Sequence, residues 1–502
     1  MKNFAVIMVL VPLSVASAAT ITVNTNGDNT IAGDGQCTLR EAIANVNAAA
    51  DTSAGDCTSG TGAGDMIAFN LALPATVRLT GGRLTITQNV TITGPASGSP
   101  TSLHIDGGRR SLVFEINAGT TSISDLSIEH GRPPDSFDSN YGGGVYVAAG
   151  ATLELTKCNL SHNVGTFGGA GIYNDGTLNL TKCTLKSNRA LANGGGGIFN
   201  AGTATLTNCT LDSNKSINAR GGGGLYNEGS ATLTNCTLKR NSTPTSETVM
   251  NWGGGIANAP GGTVTLTDST LTGNRSQVGG GIYNWARVFP LVATATLTNC
   301  TLDSNSARWD GGGIANGGAL TLTNCTLSRN KTSPANFFAN GGGGGISNGF
   351  TATLINCTLS GNTVNPFGGF GGGIYNHPDS SASATLLNTI IARSGAGGNC
   401  SGTVISNGHN LSSDDTCFSS GGTDLPNTDP RLAPLANYGG PTKTMALCTS
   451  STFPRMQCTG ASPAIDAGDD AVTGPPDNLT TDQRGLPRNA GTHVDIGAYE
   501  LQ

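Results

Sequence analysis

The chain has 502 residues, 75 of them glycine, about twice the usual share of about 7%. With 26 Lys+Arg against 32 Asp+Glu the net charge is −6, so nothing in the balance points to nucleic acid, which selects a basic face. The glycines follow no collagen-like period, and beyond the N-terminal segment no apolar run is long enough to cross a membrane as a helix.

Residues 1–18 carry Lys2, an apolar run from Phe4 to Val15 and the small-residue pattern Ala16-Ser17-Ala18, the signature of a secretory signal peptide. The mature protein is therefore expected outside the cell or at its surface. Of the 13 cysteines, seven recur in a central repeat. The other six fall into local pairs, Cys37 with Cys57, Cys400 with Cys417 and Cys448 with Cys458. Export makes these candidate disulfides, although spacing alone does not set their connectivity.

In residues 19–70 a strand over Thr20 to Val23 precedes a helical segment from Cys37 to Asn47. Thr38 and Glu41 fit a capping box, and Leu39, Ala42, Ile43 and Val46 make one apolar face. A stack of coils needs such a cap, because its first coil otherwise exposes apolar side chains and strand edges. The run Cys37-Thr-Leu-Arg-Glu-Ala42 resembles the motif of the CSLREA domain, and the resemblance implies the front end of a secreted or surface β-helix protein. Residues 71–131 hold short alternating runs, such as Val77-Arg-Leu79 and Val90-Thr-Ile92, expected as irregular coils.

From 142 to 392 two phrases alternate. The first, Gly-Gly-Gly-Ile-Tyr-Asn, ends at Asn174, Asn200, Asn227, Asn258, Asn284, Asn316, Asn348 and Asn376. The second, Leu-Thr-Asn-Cys-Thr-Leu-x-x-Asn, centres on Cys158, Cys183, Cys209, Cys236, Cys300, Cys325 and Cys357, with Ser269 and Thr389 in the same place. Periods of this length demand a solenoid or propeller, and the period-two pattern inside each copy makes the pieces strands. The expected fold is all-β: a right-handed parallel β-helix over 71–399, with an N-terminal helical cap and an irregular C-terminal cap over 400–502. Stacking would then make ladders of the Asn column and a file of buried thiols, rather than disulfides, of the Cys column. The paired phrases also resemble the repeats of polymorphic outer-membrane proteins, which implies an adhesin-like surface role.

Past Cys400 the glycine runs stop. Asp429-Pro-Arg-Leu, Tyr438-Gly-Gly-Pro441, Ser462-Pro-Ala-Ile-Asp-Ala-Gly-Asp469, Asp482-Gln-Arg-Gly485 and Asp495-Ile-Gly-Ala-Tyr-Glu500 resemble the choice-of-anchor domain of type Q, which implies surface attachment. Asp466, Asp469, Asp482 and Asp495 form the one acid-rich neighbourhood. They would either hold Ca²⁺ or join Arg484 in a network that fastens the cap.

The chemistry-bearing motifs are sparse. No catalytic constellation is found: stacked acids do not recur at equal places, and Gly345-Ile-Ser347-Asn-Gly349 reads as a variant of the repeat. Insertions concentrate in one corner, between each closing Asn and the next glycine run. That corner and its neighbours hold Trp252, Trp309, Phe337, Phe338, Phe367 and Phe370, which would suit a glycan or protein ligand unless each loop buries its own ring. The function expected is adhesin-like binding or envelope display by a monomer. A polysaccharide lyase or glycosidase and an inert spacer are the rival readings, and the expected partners are an extracellular glycan or a surface protein, with no cofactor unless Ca²⁺ is bound.

Overall fold

The computed structural model describes residues 17–95, 102–133, 141–192, 194–217, 221–245, 251–285, 291–333, 341–366, 369–378, 382–419, 421–449, 458 and 460–502. Most of the expected signal peptide, and Phe337, Phe338 and Phe367, lie outside them. The chain winds as a right-handed parallel β-helix. Three parallel sheets of 14, 12 and 13 strands run along it, and each coil contributes one short strand to each. At about 4.8 Å per step the longest sheet spans roughly 60 Å.

One coil shows how the sequence does this. Ile198–Asn200 joins the second sheet, Thr203–Thr207 the first and Thr210–Asp212 the third. Ile198, Ala204, Leu206, Cys209 and Leu211 point inward and are buried. Neighbouring coils pair in register, so Leu180, Leu206 and Leu233 stack on one another. Like side chains then fill the interior without voids.

Two corners of each coil turn through a left-handed residue. The first is Lys157, Lys182, Asn208, Asn235, Asp268, Asn299, Asn324, Asn356 or Asn388, with φ between +49° and +57°. Asn and Asp suit this conformation, which explains their frequency just before the Cys place. The turn aims the next N–H along the axis, where it needs a partner. The N–H of Cys158 donates to Cys183 Sγ at 3.4 Å, and the Cys183 thiol reaches Leu155 O at 3.3 Å. All seven column cysteines are free and buried, as a file of thiols requires. Burial pushes the thiols of Cys325 and Cys357 well up, so they are not poised as nucleophiles.

This place is a hydrogen-bond relay more than an apolar plug, which is why Ser and Thr fit it. Ser269 Oγ accepts from Cys236 N at 3.0 Å and Thr389 Oγ1 from Cys357 N at 3.4 Å. Cys209→Ser is therefore expected to change stability by less than about 1 kcal/mol. Cys209→Ala, which orphans the Cys183 N–H, should cost about 1–3 kcal/mol. Thermal melts of the two variants check the contrast, and equal losses would contradict it.

The second corner delivers the closing Asn. Asn188 Nδ2 donates to Asn214 Oδ1 at 3.0 Å and to Leu160 O at 2.9 Å, and its own N–H meets the same Oδ1 at 3.1 Å. The Asn of the first phrase forms a separate ladder, with Asn174 Nδ2 2.7 Å from Asn200 Oδ1. Both files are buried, so nearly every polar group inside the coil bonds to a neighbouring coil.

At the N-terminus, helix Leu39–Ala48 has its capping box formed by Thr38 and Glu41. Leu39, Ala42, Ile43 and Val46 are buried against the first coils. Arg40 forks onto Asp28 at 2.9 and 3.0 Å and donates to Gly82 O and Arg83 O, tying this cap to the coil beneath. Cys37–Cys57 closes the cap, and Cys400–Cys417 and Cys448–Cys458 are also joined, so all three expected pairs are disulfides.

The C-terminal end departs from expectation in two ways. Cys400–Ser401, Ile405–Ser406 and Leu411–Ser412 add one more coil to the three sheets, so the β-helix runs past residue 399. Much of the chain beyond that coil folds back along the rod. Gln483 donates to Cys300 O at 3.2 Å and accepts from Thr326 Oγ1 at 2.6 Å, and Ala498 N donates to Thr358 Oγ1 at 3.0 Å. The segment thus covers the outer face of the third sheet, where Thr301, Thr326 and Thr358 are buried and offer hydroxyl partners.

Candidate functional site

Among the described residues most rings stack in a column, while Tyr141, Phe167 and Phe370 stay exposed. Tyr146, Tyr173, Phe199 and Tyr226 stack along the outside of the second sheet, with centroids 4.4 to 5.8 Å apart. At Ala257 the column lacks a ring, and Trp252 bridges to the next coil at Val278 beside the gap. Its indole lies 5.3 Å from Tyr283 and 4.4 Å from Trp285, and it is only 8% exposed. The loop buries its own ring, which replaces the expectation of an exposed Trp252. Phe370 stacks on Tyr375 at 5.5 Å and stays 40% exposed, and Trp309 is half-buried in the strand Ser306–Asp310. Farther along the column His377 Nε2 lies 2.9 Å from Ser347 Oγ. Ser347 is 3% exposed, so its oxygen is sealed into the column instead of facing a substrate.

The variable corner carries a feature that single letters of the sequence do not reveal. The residue after each closing Asn points outward, and successive coils align Arg189, Lys215, Ser242, Arg275, Ser306, Lys331 and Thr363 in one file. Arg189, Lys215, Arg275 and Lys331 are exposed. Among the described residues none of these four has a carboxylate within ion-pair distance. Two other surface arginines are paired: Arg240 reaches Asp212 at 2.6 Å and Arg329 reaches Asp303 at 2.8 Å. Two short parallel sheets, Val164–Gly165 with its two neighbours and Arg275–Val278 with its two, hold the file in line.

Between Arg275 and Lys331 the corner opens into a cavity of about 310 Å³. Arg275, Arg308 and Lys331 line it, with Thr245, Ser306 and Ser333 between them. Arg308 Nη1 donates to Thr245 O at 2.6 Å, which fixes the guanidinium in the wall. Unpaired cations one or two coils apart repel by about 0.4–0.9 kcal/mol per pair even in water. The arrangement gives the fold nothing in return, and an anion laid along the file would relieve it. The signal was present as Asn-Arg or Asn-Lys at 188–189, 214–215, 274–275 and 330–331.

The four aspartates of the C-terminal segment are spent on the backbone. Asp466 Oδ1 accepts from His493 N at 3.0 Å, Asp469 Oδ1 from Ala471 N at 2.9 Å, Asp482 Oδ1 from Arg484 N at 2.8 Å and Asp495 Oδ1 from Asp466 N at 2.8 Å. Arg484 is the expected fork, 2.7 Å from Asp482 and 3.7 Å above the Tyr499 ring. A second arginine does more. Arg488 is fully buried and donates to Asn324 Oδ1 at 2.7 Å and Gly497 O at 2.9 Å, with Glu500 at 3.5 Å. Burial pushes Glu500 up to about 8, helped by the charge of Asp495, and pushes Asp495 up to about 6. Among the described residues, metal-type donors converge within 4.8 Å only at Asp106, Glu129 and His130, where none of the four aspartates lies.

A family model described as right handed beta helix region matches residues 111–293. No curated protein matches the sequence. The fold is similar to crystal structures of pectate lyase Pel9A (TM-score 0.37, 13% identity, 97% of this chain and 98% of that one) and of the Dettilon tailspike protein (TM-score 0.36, 12% identity, 77% and 68%). It is also similar to the A-module of mannuronan C-5 epimerase AlgE6 from Azotobacter vinelandii (TM-score 0.30, 12% identity, 76% and 97%). The three parallel sheets, with the family model over residues 111–293, make the chain a right-handed parallel β-helix.

Proposed function

We propose that this protein is an exported β-helix that binds an acidic extracellular glycan along its basic corner, as an adhesin-like or envelope component, without transforming it. The file of cations from Arg189 to Lys331, without a carboxylate partner among the described residues, carries this reading. It spans five coil steps, about 24 Å, long enough for several sugar units of an extended chain. Three disulfides support an oxidising compartment, and no helix among the described residues is long and apolar enough to cross a membrane.

The test is titration with a polyuronate, a sulfated glycan and an uncharged glucan at low and high salt. Salt-sensitive binding of the acidic polymers is expected, reduced at least about tenfold, or about 1.4 kcal/mol, by Arg275→Ser with Lys331→Ser. Equal affinity for the uncharged glucan, or no effect of the double variant, would remove the reading. Release of cleaved products from any of the three polymers would replace binding with catalysis.

A further inference from the structure

Three of the six histidines, His104, His130 and His162, come from three successive coils and gather near the start of the third sheet. His104 lies in the strand Leu103–Asp106, while His130 and His162 directly follow the strands Ser127–Glu129 and Asn159–Ser161. One place in these strands, followed from coil to coil, reads Arg78, Asp106, Glu129, Ser161, Lys186 and Asp212. Farther along this file a Lys or Arg supplies the counter-charge of each acid: Asp212 has Lys239 at 3.7 Å and Arg240 at 2.6 Å, and Asp303 has Arg329 at 2.8 Å. Asp106 and Glu129 instead face each other across adjacent coils, and among the described residues their ion-pair partners are imidazoles. Arg78, exposed on the preceding coil, makes no ion pair with them among the described residues. Two carboxylates side by side repel unless a positive group lies between them.

The geometry suits a cation in that position. His130 Nδ1 lies 3.5 Å from Asp106 Oδ1 and 3.9 Å from Glu129 Oε1, and the three residues each offer a donor atom within 4.8 Å of the others. Two ligands of a tetrahedral ion, with bonds of about 2.0–2.2 Å, lie roughly 3.4 Å apart, so small side-chain rotations close the set. The surrounding backbone holds it in place. Asp106 Oδ1 accepts from Gly108 N at 2.7 Å, His130 N donates to Ser161 O at 3.3 Å, and His130 O accepts from Arg109 N at 2.8 Å. His104 Nδ1 stands 3.1 Å from Glu129 Oε1, where it orients that carboxylate as the outer partners of metal ligands do. The exposed His162 stacks on His130 with ring centroids 5.7 Å apart, within a rotamer change of the same point.

We propose that Asp106, Glu129 and His130 form a binding site for a divalent transition cation of the zinc type, with His162 or water in the fourth place. One imidazole with two carboxylates is a nitrogen–oxygen set that zinc accepts, whereas calcium takes oxygen ligands alone and about six to eight of them. The ion neutralises the facing acids and ties the coil of Leu103–Asp106 to that of Ser127–Glu129, where irregular coils lead into the regular array. The site shares no residue with the basic corner and does not rest on the acidic-glycan reading.

The test titrates the full chain, first stripped with a chelator, with Zn²⁺ and separately with Co²⁺ near neutral pH. One equivalent is expected to bind, with the visible absorption of four-coordinate Co²⁺ and a melting temperature raised by Zn²⁺. Asn suits the left-handed corner at His130, where φ is +51°, so His130→Asn should fold, and Glu129→Gln keeps the shape of the acid. Each should weaken binding at least about tenfold, or about 1.4 kcal/mol, and cancel the rise in melting temperature with the circular dichroism unchanged. His493→Asn, at a histidine paired with Asp470 in the C-terminal segment, should bind as the natural sequence does. Arg275→Ser/Lys331→Ser should also leave the titration unchanged, so failure of this site and failure of the glycan reading are told apart. Undiminished binding in either His130→Asn or Glu129→Gln, as the buried free thiols would give if they were the ligands, overturns the proposal. So does no binding of either ion, or displacement of Zn²⁺ by an equal concentration of Ca²⁺.

Discussion

Asn241→Leu is expected to remove about 3–6 kcal/mol of stability, the largest loss from any single interior side chain of the array. Asn241 is fully buried. Its Nδ2 donates to Leu211 O at 2.8 Å and Asn274 Oδ1 at 3.1 Å, while its Oδ1 accepts the N–H and the Nδ2 of Asn214 at 2.9 and 3.0 Å. Leucine fills similar space but leaves those groups dry and unpartnered, each at about 1–3 kcal/mol. A solenoid couples only neighbouring coils, so the defect should split the melt into two transitions. Calorimetry reads both effects. A single transition shifted by less than about 1 kcal/mol would show that the ladder is not what joins the coils.

The second large effect is a pH dependence located in the C-terminal segment. In the folded chain Glu500 holds its proton to about pH 8, against 4.5 ordinarily, because burial and Asp495 disfavour its charge. Asp495 does the same up to about 6. Between the ordinary and the raised values the folded state binds more protons than the unfolded one, so stability falls as pH rises. It is fully present below about pH 4 and lost by about pH 8, by an amount on the order of 5 kcal/mol from Glu500. Hydrogen exchange of residues 482–500 at pH 5 and pH 9 should show easier opening at the higher pH. Glu500→Gln should flatten the difference. Tighter protection at pH 9 would mean that the Arg488–Glu500 ion pair outweighs the desolvation of the acid.

Legibility differed between the two kinds of feature. The coil could be read because its constraints are local and repeated: the first left-handed corner favours Asn or Asp, and the inward places select Leu, Ile, Cys and Asn in almost every copy. The three disulfide pairs and the capping box at Thr38 and Glu41 were legible for the same reason. Trp252 was not. Its letter says ring in a loop, but only the missing ring at Ala257 in the same coil makes a slot for it. Arg488 was equally silent, since its buried partners Asn324 and Gly497 lie 164 and 9 residues away. The cation file was visible letter by letter and meaningless until stacking set the letters in one line.

The chain alone determined the parallel coil, its stacked Asn and Cys columns and its N-terminal helical cap, because those rest on hydrogen bonds and side-chain periods set within about thirty residues. Only the tertiary structure decided which outward residues meet. Parallel stacking converts a position in the repeat into a continuous line of side chains. It is that conversion which turned scattered lysines and arginines into a basic corner, and three histidines of successive coils into one cluster. The same stacking let the C-terminal segment find Thr301, Thr326 and Thr358 on the third sheet.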